Sequence, residues 1–532
     1  MRQKVIEAYE RNGGNTSAAA RELGIPRSTA QYHVSEAGLN KAKPLTGGSL
    51  LGVSTLPAEL PPAGQVKVYI VTSAQNNTKL NERVWASLLA LAEHYEAEIL
   101  VGTYSYNKNA FGKMSVKRGT ASHDTTLWYD KRIEPYTSDV RRELANGLVW
   151  CGEMNIQPTA EDPLSGLETY SSRDSAIFPH AKMALRSIAA MAGAGVKFNY
   201  TTGTVTQRNY IQKKAGLKGE HHHIYGALIV EVNSKGNWWV RQLDADDKGR
   251  IQDLTVLADG DKVTTNNRVE AITWGDLHAT TIDVAVLNTA LGDGGMLDSL
   301  RPRYQFVHDL LEGVSINHHA AKDPHEQFKA FLRGFDSVEA ELRCTANTLG
   351  AFTRKGVTTV VVDSNHDNWL SKWLKEHDYR RDPRNAMLFL EAQLATFTAL
   401  QNGNKRFNIT EWAILHDRVK KATHRQLGEV KFLLTDDSFT ICDGRIECGM
   451  HGHLGPNGSR GTPANLNKVG RRANTGHTHA ATILNGLYVA GTSTTLNMGY
   501  NRGPSSWSHS HIVTYPNGKR SIVTIFAGQW RA

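Results

Sequence analysis

Ala271-Ile272-Thr273-Trp274-Gly275-Asp276-Leu277-His278 is the stretch on which the reading of this chain turns. Its apolar start predicts a buried strand, and Gly275 begins a turn. Residues i and i+2 of an extended segment point the same way, so Asp276 and His278 can grip one metal ion. Four later segments share the design. They are Phe306-Val307-His308-Asp309-Leu310-Leu311-Glu312-Gly313, Val360-Val361-Val362-Asp363-Ser364-Asn365-His366-Asp367, Glu447-Cys448-Gly449-Met450-His451-Gly452-His453 and Asn474-Thr475-Gly476-His477-Thr478-His479. Most follow a β-rich or apolar run. Their polar residues therefore sit at strand C-terminal ends, where open α/β folds place their sites.

Carboxylate oxygens, an amide oxygen and imidazole nitrogens make an O/N donor set. It suits Mn²⁺, with Fe or Zn²⁺ as the other fits. The four cysteines, Cys151, Cys344, Cys442 and Cys448, form no Cys-x-x-Cys pair, so a thiolate zinc site and a disulfide scaffold are both disfavoured. Asp309 can lend one oxygen to each of two ions about 3.5–4 Å apart. Such a pair polarises a phosphoryl group and supplies a hydroxide near neutral pH.

The order Asp-x-His, Asp, Asn-His-Asp, His-x-His, Gly-His-Thr-His resembles the calcineurin-like metallophosphoesterase superfamily over about half of the chain. The resemblance implies an α/β fold, a four-layer metallophosphoesterase β-sandwich flanked by helices. It implies that Asp276, His278 and His479 bind one divalent ion and Asn365, His451 and His477 a second, with Asp309 bridging. His366 would face the phosphate and stabilise charge or protonate the leaving oxygen. Glu312 would orient His366 and raise its pKa. His453 is a ligand or a substrate contact. The sequence departs from the superfamily at His308 and Ser364, where Gly is usual; these departures touch loop geometry rather than ligands.

The N-terminus carries a different signal. Helices are expected over Gln3–Arg11, Ser17–Leu23 and Arg27–Ala37, with Gly24, Ile25 and Pro26 making the corner. This resembles a Fis-like helix-turn-helix, a small all-α head whose last helix would present Arg27, Ser28, Thr29, Gln31 and Tyr32 to DNA. A helical hairpin for protein contacts is the blander reading. A single unit of this size binds weakly, so a homo-oligomer or a second DNA-contacting region is expected.

The 532 residues divide into a head (1–43), a Pro/Gly-rich linker (44–64), an α/β accessory domain of unknown role (65–267) and the metallophosphoesterase domain (268–532) with a helical insertion at about 320–430. Within the accessory region, Val66–Thr72, Asn81–Tyr95 and Glu98–Gly102 predict one β-α-β unit. His221-His222-His223 reads as an exposed polar turn. Asp244 to Gly249 only imitates a calcium loop, because Lys248 and Thr255 stand where oxygen donors are needed. In the insertion, Phe328, Phe331, Leu332, Met387, Leu388, Leu390 and Leu394 have core spacing. Net charge is +9, compatible with a polyanionic partner. No segment reads as a membrane span or a secretory signal, so a cytoplasmic protein is expected.

Superfamily phosphatases usually carry an Arg soon after the bridging Asp, to clamp a monoester. Leu310-Leu311-Glu312-Gly313 has none, which favours diesters. With a DNA-reading head, the expectation is a DNA phosphodiesterase. The architecture also resembles the early DNA-degrading proteins of tailed bacteriophages. The alternatives are a small-molecule or nucleotide phosphoesterase and a DNA-binding scaffold with an inactive site. Arg460, Lys468, Arg471 and Arg472, between the two histidine motifs, are expected within reach of the metals as phosphate contacts. A second basic group comprises Arg418, Lys420, Lys421, His424 and Arg425.

Overall fold

The computed structural model describes residues 1–12, 16–26, 29–30, 33–34, 37, 55–106, 128–191, 193–316, 323–420 and 427–532. They divide into two units, Met1–Leu56 and Pro57–Ala532. In the first, helices Arg2–Arg11 and Thr16–Glu22 bury Val5 and Ala20 with Ala30 and Val34, and Leu23 and Ile25 pack alongside. Gly24 turns the corner at φ 61°, a conformation open to a residue without Cβ. The N–H groups of Thr29 and Ala30 both donate to the Pro26 carbonyl.

In the second unit, side-chain alternation builds the sheet around the central stretch. Ala271, Phe306 and Val360 face one way, and Ile272, Val307 and Val361 the other. Strands Val430–Phe432, Thr358–Val361, Tyr304–Val307 and Ala271–Thr273 are parallel and adjacent in that order. Ser510–Thr514 and Arg520–Thr524 add an antiparallel edge. On the Ile272 side lie helices Val284–Leu291, Val338–Phe352 and Ala386–Gln401, through Val286, Leu342 and Leu388. On the Ala271 side lie Ile441 and Ile446 of a second sheet. Leu466 of the short helix Pro463–Leu466 packs with Ala473, Leu487 and Val489 of that second sheet. The fold is mixed α/β, with helices on one face of the first sheet and the second sheet against its other face.

The second sheet crosses the expected domain boundary. Strands Arg141–Ala145, Leu148–Cys151, Ser175–Phe178, Lys197–Thr201 and Leu185–Ile188 continue, in that order, into Thr482–Leu484, Leu487–Val489, Ala473–Thr475, Ile446–Glu447 and Thr440–Ile441. Leu185 pairs with Ile483, and one core holds Tyr69, Trp150 and Phe198 together with Ile483, Ile512 and Ile522. Residues 65–267 and 268–532 thus share a core rather than forming separate domains. The reason is a strand pairing across some three hundred residues, which local pattern does not report. Two segments of these sheets are hairpins: Thr482–Val489 turns at Asn485-Gly486 (φ 49° and 100°), and Ser510–Thr524 turns near Gly518.

The β-α-β unit is present as Val66–Gln75, Glu82–His94 and Glu98–Tyr104, with parallel pairing. Nearby, Arg241 is fully buried. Its Nε and Nη2 bond both oxygens of Asp253 (2.8 and 2.7 Å), and Nη2 bonds Glu231 (2.7 Å). A bidentate pair of this kind offsets the desolvation that an isolated buried charge would suffer. Asp246 closes a turn by accepting from Lys248 and Arg250. His223 departs from its expected exposed turn: it is buried against the Tyr210 hydroxyl at 2.9 Å. Phe328, Phe331, Leu332, Met387, Leu390 and Leu394 also depart from expectation, being exposed; Leu388 is buried. Both helices bury a face other than the one their spacing suggested. No helix of the described residues is long and apolar enough to cross a membrane.

His180 gives the fold an acid-sensitive point. Its Nδ1 accepts from the Lys182 N–H (3.0 Å) and its Nε2 reaches the Gln157 carbonyl (3.1 Å), so the neutral ring is satisfied. Burial pushes its pKa down to about 4. Below the unfolded value of about 6.5 the unfolded chain takes up a proton that the folded one refuses. This contribution is complete above about pH 6.5 and fades as pH falls toward 4. His180→Gln keeps one acceptor and one donor but cannot titrate. Urea unfolding at pH 7 and pH 5 should show the variant losing about 2 kcal/mol less stability than the parent over that interval.

Candidate metal centre

Every expected ligand sits just beyond the C-terminal end of a strand. Asp276 and His278 follow Ala271–Thr273, Asp309 follows Tyr304–Val307, and Asn365 follows Thr358–Val361. From the facing sheet, His451 follows Ile446–Glu447, and His477 and His479 follow Ala473–Thr475. The backbone is bent to bring them together. His278, Asp309, His477 and His479 have φ of 45°, 43°, 76° and 56°. Residues other than glycine seldom adopt such values, and those that do cluster at functional sites. The Asp276/His278 pairing thus comes from a left-handed turn rather than from the extended strand predicted.

Two groups of donors emerge. Ligand atoms of Asp276, His278, Asp309 and His479 all lie within 4.8 Å of one another. The Nε2 atoms of His278 and His479 meet at 3.1 Å, and His479 Nε2 is 3.0 Å from Asp276 Oδ2. On the other side of Asp309, His451 Nε2 is 3.3 Å from Asp309 Oδ2 and 3.1 Å from Asn365 Oδ1. Asp309 therefore touches both groups. The His477 ring packs 5.2 Å from that of His451, and the His477 N–H donates to Asp276 Oδ2 (2.8 Å).

Electrostatics fit cations. Asp276 and Asp309 are buried, and the Oδ1 of each has no hydrogen-bond partner among the described residues. Burial alone would raise both carboxyls, but His451 and the other facing imidazoles hold them below the usual range. Burial likewise opposes a charged His278, yet Glu312, Asp309 and Asp276 outweigh it and raise the ring to about 9. His451 is raised to about 8 in the same way, by Asp309 and Asp276. Buried oxygens without donors, faced by converging nitrogens, are what a divalent O/N site presents.

Glu312 differs from expectation. Its carboxylate contacts Nδ1 of His278, whereas His366 Nδ1 bonds the Glu312 carbonyl at 2.9 Å and lies 3.8 Å from the carboxylate. Glu312 thus sits behind His278, in a carboxylate–imidazole arrangement common around metals. The shorter path to His278 decides the choice. His366 is stacked on Trp369, ring centroids 4.8 Å apart, and opens with Glu312 and Asn365 onto a cleft of about 950 Å³. Arg333 and Tyr500 also line it.

Five residues have supporting roles that the sequence reading did not assign. His308 Nδ1 lies 3.3 Å from His451 Nδ1 and so backs the ring whose Nε2 faces Asp309. Ser364 Oγ donates to Asp367 Oδ2 (2.8 Å), and Asp367 Oδ1 accepts the Leu311 N–H (3.0 Å), tying the Asn365 turn to the Asp309 loop. Glu341 is buried and accepts the N–H groups of Gly313, Val314 and Ser315 at 2.6–2.9 Å. A glutamate on the buried face of a helix was the available signal. Gly476 is required by space: a Cβ there would meet Asp276 Oδ1 at 2.1 Å.

The expected phosphate contacts divide. His453 packs 5.4 Å from the His451 ring but belongs to neither donor group. Arg460 and Lys468 are exposed, and Lys468 bonds Asn465 (3.0 Å). Arg471 and Arg472 precede the strand Ala473–Thr475, whereas the metal-facing residues follow it. Five extended residues span roughly 16 Å, so these two arginines stand at the far end from the site. Arg471 instead bonds the Gly444 carbonyl (3.2 Å) and approaches Glu447 (3.6 Å). Among the expected DNA contacts, Thr29 is half-buried; Arg27, Ser28, Gln31 and Tyr32 lie outside the described residues. So do Lys421, His424 and Arg425, while Arg418 pairs with Glu391 at 2.8 Å.

Residues 2–32 match the family described as bacterial regulatory protein, Fis family, so the head is a helix-turn-helix of Fis type. Protein A1 of Escherichia phage T5 is 37% identical over 479 residues, which cover 88% of this chain and 83% of that protein. This agrees with the expected kinship to bacteriophage proteins. No solved structure matches the chain. With that much identity over that much of both chains, the protein belongs to the family of the phage T5 Protein A1.

Proposed function

We propose that the chain is a metal-dependent phosphodiesterase of the calcineurin-like type that cleaves DNA in the cytoplasm of an infected host. The observation that carries this reading is the buried meeting of Asp276, His278, Asp309 and His479, with Asn365 and His451 on the other side of Asp309. The stacking of helices on one face of the first sheet and the second sheet on the other supports the same superfamily, and the Fis-type head supports DNA as substrate. Asp276, His278 and His479 would hold one ion, Asn365, His451 and His477 another, and Asp309 both; Mn²⁺ suits this donor set best. Bound there, the ions supply Lewis acidity toward a phosphoryl group and a nucleophile at neutral pH. His366, at the cleft, delivers a proton to the leaving oxygen, and its stacking on Trp369 fixes the ring for that task. Leu310 and Leu311, both buried, leave no arginine beside Asp309 to clamp a monoester.

Purified protein with Mn²⁺ should nick plasmid DNA. Asp309→Ala should abolish nicking and also the rise in Tm that Mn²⁺ gives the parent. His366→Ala should keep the Tm rise and lose about 10²–10⁴-fold in rate. Turnover of a chromogenic diester with plasmid left intact would point instead to a small-molecule phosphodiesterase, and DNA retention without turnover to a scaffold.

Glu312→Gln separates positioning from chemistry. Losing the carboxylate behind His278 should weaken Mn²⁺ binding about 10–100-fold, read by calorimetry. Nicking should be restored by excess Mn²⁺. A rate that stays low at saturating metal would place Glu312 in the proton-transfer step instead.

A further inference from the structure

The far end of the Ala473–Thr475 strand opens onto a cleft of about 460 Å³, away from the metal-facing end. Five cations line it, Lys182, Arg471, Arg472, Lys519 and Arg520, against one carboxylate, Asp244, among the described residues. Three of the five spend their donors on the protein. Lys182 bonds the Ala160 and Glu161 carbonyls, Arg471 the Gly444 carbonyl, and Arg520 the Ala473 and Gly486 carbonyls and Asn474. The head groups of Arg472 and Lys519 have no hydrogen bond or ion pair among the described residues. Asp244 does not balance them: it is buried, accepts only a long bond from the Tyr488 hydroxyl (3.4 Å), and its Oδ1 has no partner. Burial, with Arg472 nearby, makes a charged Lys519 costly despite Asp244, Asp247 and Asp246. Arg472 is exposed and Lys519 half-buried, and cationic head groups without a bonded partner suit an anion.

We propose that this cleft, between the 182–186 segment and the 470–488 and 518–520 segments, is a second phosphate-binding site, with Arg472 and Lys519 as its free donors. The ligand is a phosphate group, either on a DNA backbone or on a small anion. Binding is measured on the full chain in chelator, which removes any metal contribution, with pyrophosphate, deoxyadenosine monophosphate and a 20-mer oligonucleotide as probes. Arg472→Ala is exposed and Lys519→Met keeps most of the stem, so both should melt as the parent does. If the source is DNA, both variants lose about tenfold in oligonucleotide affinity, and the salt slope falls by about one per charge removed. If it is a small anion, pyrophosphate or the monophosphate saturates the parent and binds the variants at least tenfold more weakly. Equal affinities in parent and variants, or no saturable binding of any probe, overturn the proposal.

A separate observation concerns helix Ala386–Gln401. Leu388, Phe389, Ala392 and Ala399 are its buried face. On the solvent side stand Met387, Leu390, Leu394, Phe397 and Leu400, between 43% and 69% exposed, at spacings of three and four. A helix apolar all round belongs inside a larger assembly. Its one charged residue, Glu391, is occupied by Arg418, so two copies of this face would not repel. The five residues offer on the order of 550 Å² per copy, and a pair hides about 1,100 Å². That stands just above the roughly 1,000 Å² that a specific interface needs. We infer that this face pairs with a second copy of the chain, which also supplies a second helix-turn-helix head for a two-part DNA site. Sedimentation equilibrium should give a dimer at micromolar concentration. The double change Leu394→Glu and Phe397→Glu, or the milder Leu394→Gln and Phe397→Gln, should give a folded monomer by circular dichroism. A parent that stays monomeric at tens of micromolar, or folded variants that remain dimeric, overturn it.

Discussion

Two carboxylates taken out of water dominate this molecule. Asp276 and Asp309 are buried at the junction of two sheets, and each keeps one oxygen that no protein donor reaches. An uncompensated buried charge is worth several kcal/mol of destabilisation. The chain places imidazoles from five segments around the pair, and two of them, His278 and His451, are raised toward the charged form that balances the carboxylates. A pair of divalent ions would satisfy the same oxygens without protonating the rings. Loaded in that way the site would become favourable, the logic by which metal affinity couples to folding.

The surroundings are arranged to tolerate this. Four ligands occupy left-handed backbone, a conformation that persists only where neighbours over-determine it. Glu341 captures three successive N–H groups of the loop after Asp309, and Ser364 with Asp367 fastens the Asn365 turn to Leu311. Gly476 lets the last loop pass against Asp276 where any side chain would collide. Precision comes from these supports more than from the ligands themselves.

What was legible in the sequence was local. A strand that ends in a carboxylate or an imidazole carries its signal within eight residues, and each of the five segments lands where that signal puts it. What was illegible depended on distant pairing. The middle region looked separate because nothing near Leu185 announces Ile483. Arg471 and Arg472 looked close to the metals because both flanking motifs are, but a strand carries its two ends apart. Glu312 has two histidines within reach, and only the fold chooses His278. The outer face of Ala386–Gln401 read as core because apolar spacing does not say which side has a neighbour.

The shared sheet gives residues 65–267 a physical task at the site. The turn that carries His477 and His479 lies between Ala473–Thr475 and Thr482–Leu484, and the latter is held by Leu185 and Arg186. Ser187 Oγ donates to the Ala481 carbonyl (2.7 Å), two residues from His479. Further along, Ala190 and Ser505 exchange a pair of backbone hydrogen bonds, 2.9 and 3.0 Å, at the root of the loop that brings Trp507 to within 4.1 Å of the His479 ring. Strands of the middle region thus support one edge of the metal-facing turn and its aromatic cover. A turn held at positive φ needs rigid neighbours on both sides, and here one side comes from a segment nearly three hundred residues earlier.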